Sequence, residues 1–502
     1  MDLKRVVYAS WERFGDRPCV VDEDQRFTFD QIVRRVVALS RFVARHDRSE
    51  TGHVGMILPN SEAFITAFFG CLAADRAVVP VNCLLSPPEA GFILRHARCE
   101  IVLTTSAFRP LIEAMNQEEG PSIRPFYLDE PAAQIGGALD AADPAVLLAG
   151  ESDPDRPACL IYTSGTTGIA KGVVLTHRNL VANGDSMLQV LEVRAEDVFL
   201  AVLPFFHSFG LTTTLLLPLL AGSNIVIMRR FHPATAVDLI EREKITVFLA
   251  VASMFALVMR GAASNPSRLS TVRIAISGGG PLSPALGEAF EKTIGFPLLQ
   301  GYGLTEAAPV VATNFPGHVK APSVGPPVPG VEAEIRDDHD RRLPAGEIGE
   351  ICVHGENVMR EYYRNPEASA QALDANGWLR TGDVGYIDEE GFLYVTSRKK
   401  DIIIFGGEKI FPQEVEHVLI SHPDVEEAAV VGIQDPMRGE FPRAFLVLRE
   451  GVESINEREL RHFCADRMAT FKIPRDFQVV DALPKNALGK VQKHKLVESA
   501  AQ

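Results

Sequence analysis

Positive charge is in short supply: 50 Lys and Arg stand against 65 Asp and Glu over 502 residues, a net charge of −15. A nucleic-acid binder carries the opposite balance, so no nucleic-acid partner is expected. Cysteine is sparse and scattered. Cys19, Cys71, Cys83, Cys99, Cys159, Cys352 and Cys464 form no C-x-x-C pair, which speaks against a zinc or disulfide framework and fits reduced thiols in the cytoplasm. Long hydrophobic runs are missing too. The most apolar stretch, Leu211 to Met228, is broken by Pro218, Gly222, Ser223 and Asn224, whereas a membrane span needs about 20 mostly apolar residues. It reads as a buried helix, a turn and a strand; no membrane span is expected, and peripheral contact is left open. The opening residues, Met1-Asp2-Leu3-Lys4-Arg5, hold no apolar signal core. There is no G-x-S-x-G elbow, paired-carboxylate motif or metal-ligand cluster, so hydrolysis by those routes has no support.

What is present is ordinary globular material, 46% hydrophobic and 23% charged, which excludes a mostly disordered chain or a collagen-like fibre. The length suggests about two to four domains. Short β-rich runs such as Thr246–Val251 and Arg273–Ser277 alternate with amphipathic stretches such as Val237–Lys244 and Pro284–Thr293. That alternation predicts α/β layers with largely parallel sheets. Residues 116–157 read as a surface connection, and the Pro- and Gly-dense text from Gly317 to Gly349 as a small β subdomain. A charged cluster, Ser397-Arg398-Lys399-Lys400-Asp401, separates two apolar β runs. Beyond it a helix opening at Pro412, two strands and a further helix predict a compact C-terminal domain of about 100 residues.

The segment Leu160-Ile-Tyr-Thr-Ser-Gly-Thr-Thr-Gly-Ile-Ala-Lys-Gly172 carries the strongest chemical signal. A β run leads into hydroxyls (Thr163, Ser164, Thr166, Thr167), glycines (Gly165, Gly168) and Lys171. Glycine lets backbone N–H groups approach phosphate oxygens, hydroxyls add donors and lysine adds a point charge. A Walker A loop would need glycine at Ala170. Gly301-Tyr302-Gly303-Leu304-Thr305-Glu306 offers an aromatic face for a base, a hydroxyl for phosphate and a carboxylate for Mg²⁺; a tight turn with a core tyrosine fits equally well. Gly278, Gly279 and Gly280 follow a strand and give bare backbone that could border a nucleotide, or a plain strand-to-helix turn. Asp383, in Thr381-Gly382-Asp383, can accept two hydrogen bonds from a ribose diol, with Arg398 fifteen residues on. The tail from residue 472 holds six Lys and Arg against three acids, usually the mark of a solvated basic end.

These segments, in this order and over nearly the whole chain, resemble the adenylate-forming superfamily of acyl-CoA synthetases, adenylation domains and beetle luciferases. The signature T-S-G-T-T-G-x-x-K-G matches at 163–172, joined by G-Y-G-x-T-E at 301–306, T-G-D at 381–383, the stretch Arg398–Glu416 and P-x-x-x-x-G-K at 484–490. The resemblance implies an α/β fold: a large N-terminal domain of layered αβ subdomains plus a small β subdomain (1–397), and a small mobile α+β C-terminal domain (398–502) hinged near Lys400. It implies ATP, Mg²⁺ and coenzyme A as cofactors and co-substrates of a carboxylic acid. Thr163–Gly172 would hold the β- and γ-phosphates. Tyr302 and Gly303 would lie on adenine beside Gly278–Gly280, Thr305 would touch the α-phosphate, and Glu306 would ligate Mg²⁺. Asp383 and Arg398 would hold the ribose, Lys490 would neutralise the transferring phosphate, and the face carrying Gly406, Gly407 and Lys409 would turn to the thiol.

Leu203-Pro-Phe-Phe-His207-Ser-Phe-Gly matches the acyl-CoA synthetase form of its motif, with His207 at the carboxylate end of the acyl tunnel; a satisfied core histidine is the plainer alternative. No Asp or Glu lies between Ala201 and Gly222, which argues against an α-amino acid, whose ammonium would go unpaired. The text looks most like long-chain fatty acyl-CoA synthetases, with a medium- or long-chain fatty acid as the expected substrate. Aryl or short acids, a carrier-protein acceptor and a non-catalytic binder are the alternatives, and the chain would be a monomer or homodimer. Pro442 and Gln492-Lys493 depart from the pattern and bear on acceptor recognition.

Overall fold

The computed structural model describes residues 2–130, 142–164, 170–405, 408–435, 439–485 and 491–500. Two large sheets dominate. In one of eight strands, Val198–Ala201, Asn224–Ile227, Val247–Ala250, Ile274–Ser277 and Leu299–Gly303 run parallel with Pro18–Asp22. In the other, of seven, His53–Ile57, Ala77–Pro80, Ile101–Thr104 and Arg124–Tyr127 run parallel. The central strands are short runs buried at every position, such as His53–Ile57 and Val247–Ala250, as strands covered on both faces must be. The covering helices read accordingly. Phe29–His46 is amphipathic, buries Ile32, Val33, Val36, Val37 and Val43, and starts in a reciprocal Thr28–Gln31 capping box. Glu62–Ala73 is apolar on all sides, with Phe64 through Leu72 wholly buried, as expected of a helix packed on every face.

A four-stranded antiparallel sheet follows, in the order Val331–Arg336, Gly349–Gly355, Leu379–Ile387, Leu393–Arg398. After a short turn at Lys399–Asp401, a further sheet (Ile403–Phe405, Glu408–Ile410, Val425–Asp435, Gly439–Leu448, Asp476–Val479) packs with helices Pro412–Ile420 and Glu457–Ala465 around its own core of Ile403, Val415, Leu419, Val430, Leu446 and Leu460. This is the large N-terminal and small C-terminal architecture expected of the adenylate-forming fold.

Three local readings need correction. Residues 116–157 are more than a connection, because Arg124–Tyr127 adds an edge strand beside Ile101–Thr104. The small β subdomain does not stop near Gly349; its sheet continues to Arg398, the long strand Leu379–Ile387 carrying Thr381-Gly382-Asp383. Leu211–Met228 does give a helix, a turn and a strand, but Leu211–Leu216 is π-helical. Among the described residues no helix is long and apolar enough to cross a membrane, and all seven cysteines are free.

The N-terminal helix Leu3–Phe14 is pinned by one buried imidazole. His177, 1% exposed at the start of helix His177–Leu191, accepts the Leu3 N–H through Nδ1 at 3.2 Å. Burial pushes its pKa down to about 4; Arg156 and Lys4 act the same way, against Asp2 and Asp75. A folded value below the unfolded one means that protons bind the unfolded chain first, so stability falls as pH drops from about 6.5 to about 4. The loss is about 3 kcal/mol at one group. His177→Gln should flatten that part of the stability-versus-pH curve in urea titrations; an unchanged slope would remove His177 from the account.

Candidate active site

The predicted site residues come from several elements, one of them at the carboxyl end of a parallel strand, where open α/β sheets place ligands. Strand Ile274–Ser277 ends and Gly278, Gly279 and Gly280 follow. A Cβ on Gly278 would lie 2.7 Å from the Phe209 ring, so the missing side chain lets that ring sit on the backbone. Nothing lies within 4 Å of a Cβ built on Gly280.

Gly301-Tyr302-Gly303 is strand rather than turn, paired antiparallel with Val310–Thr313. Gly303 is required by proximity: a Cβ there would stand 2.1 Å from the Pro309 carbonyl oxygen. The Tyr302 hydroxyl donates to Asp383 Oδ2 at 2.7 Å. Burial, then the Asp383 charge, raises the phenol well above its usual range, so it remains a donor. Asp383 is 5% exposed, and Arg398 Nε lies 3.2 Å from its Oδ1. The fifteen-residue spacing is a hairpin: Asp383 and Arg398 face each other in the register of Leu379–Ile387 against Leu393–Arg398.

Thr305 is buried, its hydroxyl 3.1 Å from that of Ser208. Ser208 follows His207, whose Nδ1 accepts the Phe209 N–H at 3.2 Å. His207 therefore caps the helical segment that carries Ser208 and Phe209 and stands one residue from the Thr305 partner. Glu306 Oε1 accepts a hydrogen bond from the Tyr362 hydroxyl at 2.8 Å, and Lys171 Nζ lies 5.1 Å from the centre of the same ring. Thr163 and Ser164 pair with Lys171 and Ala170 across a hairpin. Tyr162 of that hairpin fills the space a side chain on Gly172 would take, and its hydroxyl is 2.7 Å from His96 Nδ1. Gly165, Thr166, Thr167, Gly168, Gly406, Gly407 and Lys490 lie outside the described residues.

Lys400 is exposed in the turn Lys399–Asp401. Its neighbour Lys399 pairs with Glu350 at 3.0 Å and Asp338 at 3.3 Å, and Lys409, beyond the turn, reaches Asp338 at 3.5 Å. Two contributors went unread in the sequence. Ser208 stood inside the His207 motif without a role. Tyr362 sits in a Tyr-Tyr pair with no chemical signature of its own, and only the fold brings it to Glu306 and Lys171.

Among the described residues no group of three or more His, Cys, Asp or Glu could hold a metal, so Glu306 would serve without such a cluster. That donor set fits Mg²⁺, which commonly takes one or two carboxylates and completes its shell with water and substrate phosphates.

The AMP-binding enzyme model matches residues 7–363, and the AMP-binding enzyme C-terminal domain matches residues 414–490. A long-chain-fatty-acid–CoA ligase of Bacillus subtilis is 32% identical over 100% of this chain and 95% of its own length. A sulfoacetate–CoA ligase of Cupriavidus necator is 34% identical over 99% and 98%. ATP-bound MatB from Rhodopseudomonas palustris superposes with a TM-score of 0.91 at 27% identity, covering 99% of both chains. O-succinylbenzoate coenzyme A synthetase from Bacillus subtilis, in complex with ATP and magnesium, gives 0.86 at 33% identity over 98% of both. With both domain models in sequence and these relatives matched end to end, the chain belongs to the AMP-binding enzyme family, in its acyl-CoA ligase branch, and is an AMP-forming acid–CoA ligase.

Proposed function

We propose that the acid is an alkanoic acid with an apolar tail of medium or long chain. The observation that carries this is the state of three threonines. Thr212, Thr213 and Thr214 are fully buried after Phe209, and each hydroxyl already donates to a carbonyl, of Ala308, Phe209 and Gly210 respectively. No Lys or Arg lies between Ala201 and Met228. If this segment walls the acid's tail beyond His207 and Ser208, a second anionic group there would find no lysine or arginine, and leaving it unpaired is costly. An apolar tail asks for neither.

In this reading the substrate carboxylate attacks the α-phosphorus of ATP, the bond to the β-phosphate oxygen breaks, and pyrophosphate leaves. The CoA thiol then displaces AMP from the acyl carbon. Such phosphoryl transfer needs positioning and charge neutralisation more than covalent help. Thr163–Gly172 holds the β- and γ-phosphates. Tyr302 lies on the adenine with Gly278–Gly280 at its edge, and Asp383, braced by Arg398, takes the ribose diol. Thr305 contacts the α-phosphate, His207 stands at the acid's carboxylate, and Lys490 faces the transferring phosphate. Glu306 would hold Mg²⁺, which when bound neutralises triphosphate charge. For the second half-reaction the residues beyond Lys400 turn about it, Arg398 staying in its hairpin with Asp383, and present the Gly406–Lys409 face to the thiol.

The test is acid-dependent pyrophosphate release over alkanoic, aryl and sulfonated acids, with and without CoA. Medium- and long-chain alkanoates should exceed sulfoacetate and benzoate in kcat/KM by at least about tenfold, the scale of a few buried methylenes. A preference for sulfoacetate or an aryl acid would overturn the assignment.

A further inference from the structure

We propose that Tyr362 is a positioning residue that sets the Glu306 carboxylate and the Lys171 ammonium at one station, so that a metal-bound nucleotide meets both together. This rests on the reading of Glu306 as the Mg²⁺ ligand and adds how that ligand is aimed.

Tyr362 is well placed to do so. With Glu361 it forms a two-residue strand at the edge of the seven-stranded sheet, antiparallel to Val173 and Val174 at the root of the phosphate hairpin. Three backbone bonds fasten it: Arg360 N–H to Val174 O at 3.0 Å, Tyr363 N–H to Gly172 O at 2.7 Å, and Met359 N–H to Glu306 O at 2.7 Å. The segment 359–363 thus holds both the arm carrying Lys171 and the backbone of Glu306. The side chain repeats the connection. Its hydroxyl donates to Glu306 Oε1 at 2.8 Å, while its ring faces Lys171 Nζ at 5.1 Å, within range of a cation–π attraction.

A single carboxylate serving Mg²⁺ has to present one oxygen at a defined angle, because the ion demands near-octahedral geometry. The phenol engages one oxygen and so fixes the plane of the other. Partners of this kind, one bond removed from a metal, typically govern affinity by about 10–100-fold. The ring performs a separate task, giving the flexible lysine a face to rest on before the triphosphate arrives.

Two variants separate these tasks. Tyr362→Phe deletes only the hydroxyl; Tyr362→Leu deletes the aromatic face as well. ATP binding to the full-length protein is measured by calorimetry with Mg²⁺ and with EDTA. The Mg²⁺ dependence of pyrophosphate release, thioesterification of a preformed acyl-adenylate, and thermal unfolding are followed in parallel. In Tyr362→Phe the gain in ATP affinity conferred by Mg²⁺ should shrink about 10-fold or more, with binding in EDTA unchanged, and excess Mg²⁺ should restore the rate. In Tyr362→Leu binding in EDTA should weaken too, and excess Mg²⁺ should not restore the rate. Both variants should keep the thioesterification rate, a readout that general loss of structure would move. A wild-type Mg²⁺ response in Tyr362→Phe overturns the proposal, as does equal loss of both half-reactions. Glu306→Gln distinguishes the underlying assignment: if it leaves the Mg²⁺ gain intact, Glu306 is not the metal ligand; if it abolishes the gain while Tyr362→Phe does not, only the role of Tyr362 falls.

Discussion

Replacing Lys490 by alanine is expected to slow acyl-adenylate formation by about 10²–10³-fold, the range seen when one preorganised charge or donor at a transition state is removed. Transfer of a preformed acyl-adenylate to CoA should remain within a few-fold of wild type. The two steps place charge differently. In the first, negative charge spreads over a phosphoryl group between entering carboxylate and leaving pyrophosphate, and a lysine beside it acts on the barrier directly. In the second, a thiolate attacks an acyl carbon and the phosphate departs as AMP. Lys490 closes the C-terminal family match at 414–490 and ends Pro484–Lys490; the described residues around it, Lys485 and Val491, are bridged to each other. Pyrophosphate release measures the first step, and AMP release from a synthetic acyl-adenylate the second. Equal loss in both would sink the assignment.

The other large effect is expected at Asp383. Its carboxylate accepts the Tyr302 hydroxyl at 2.7 Å and meets Arg398 at 3.2 Å, and both oxygens retain lone pairs for a ribose diol. Hydrogen bonds to a charged acceptor contribute about 1.5–3 kcal/mol each, so Asp383→Ala should weaken AMP and ATP binding by about 10²-fold or more, lowering both half-reactions. It should also destabilise the fold, by less than the 3–5 kcal/mol typical of a fully buried broken pair, because the Arg398 side chain is 39% exposed. Calorimetry with AMP and thermal unfolding read the two effects separately. A fall in stability with AMP affinity kept within about fivefold, roughly 1 kcal/mol, would make Asp383 structural alone.

Much of this site can be read in the chain before folding, and the reasons are local. Thr163–Gly172 announces itself by composition, because phosphate binding asks for glycine, hydroxyl and lysine close together. Asp383 and Arg398 are legible as a pair because a hairpin is a short-range object. Gly301-Tyr302-Gly303 misleads: two glycines suggest a turn, but here they belong to a strand, and Gly303 answers a contact with Pro309. Tyr362 was out of reach for the opposite reason. Its strand is two residues long and its partners, Val173 and Glu306, are far off in sequence, so no window of text contains the relation. The π-helical Leu211–Leu216 segment is likewise set by packing, since Leu and Thr at those positions suit an α-helix as well.

The hairpin that joins Asp383 to Arg398 continues directly into the turn at Lys399–Asp401. On the proposed roles, ribose contact and pivot are therefore two residues apart, one at the end of a strand and the other in the turn that follows it. Binding free energies around such a joint are reciprocal: whatever factor a nucleotide contributes to one orientation of the C-terminal domain, that orientation returns to the nucleotide. Departure of AMP and the return swing are then two views of one equilibrium. A substitution in the turn should register first as a changed affinity for adenine nucleotide, at a site it never touches.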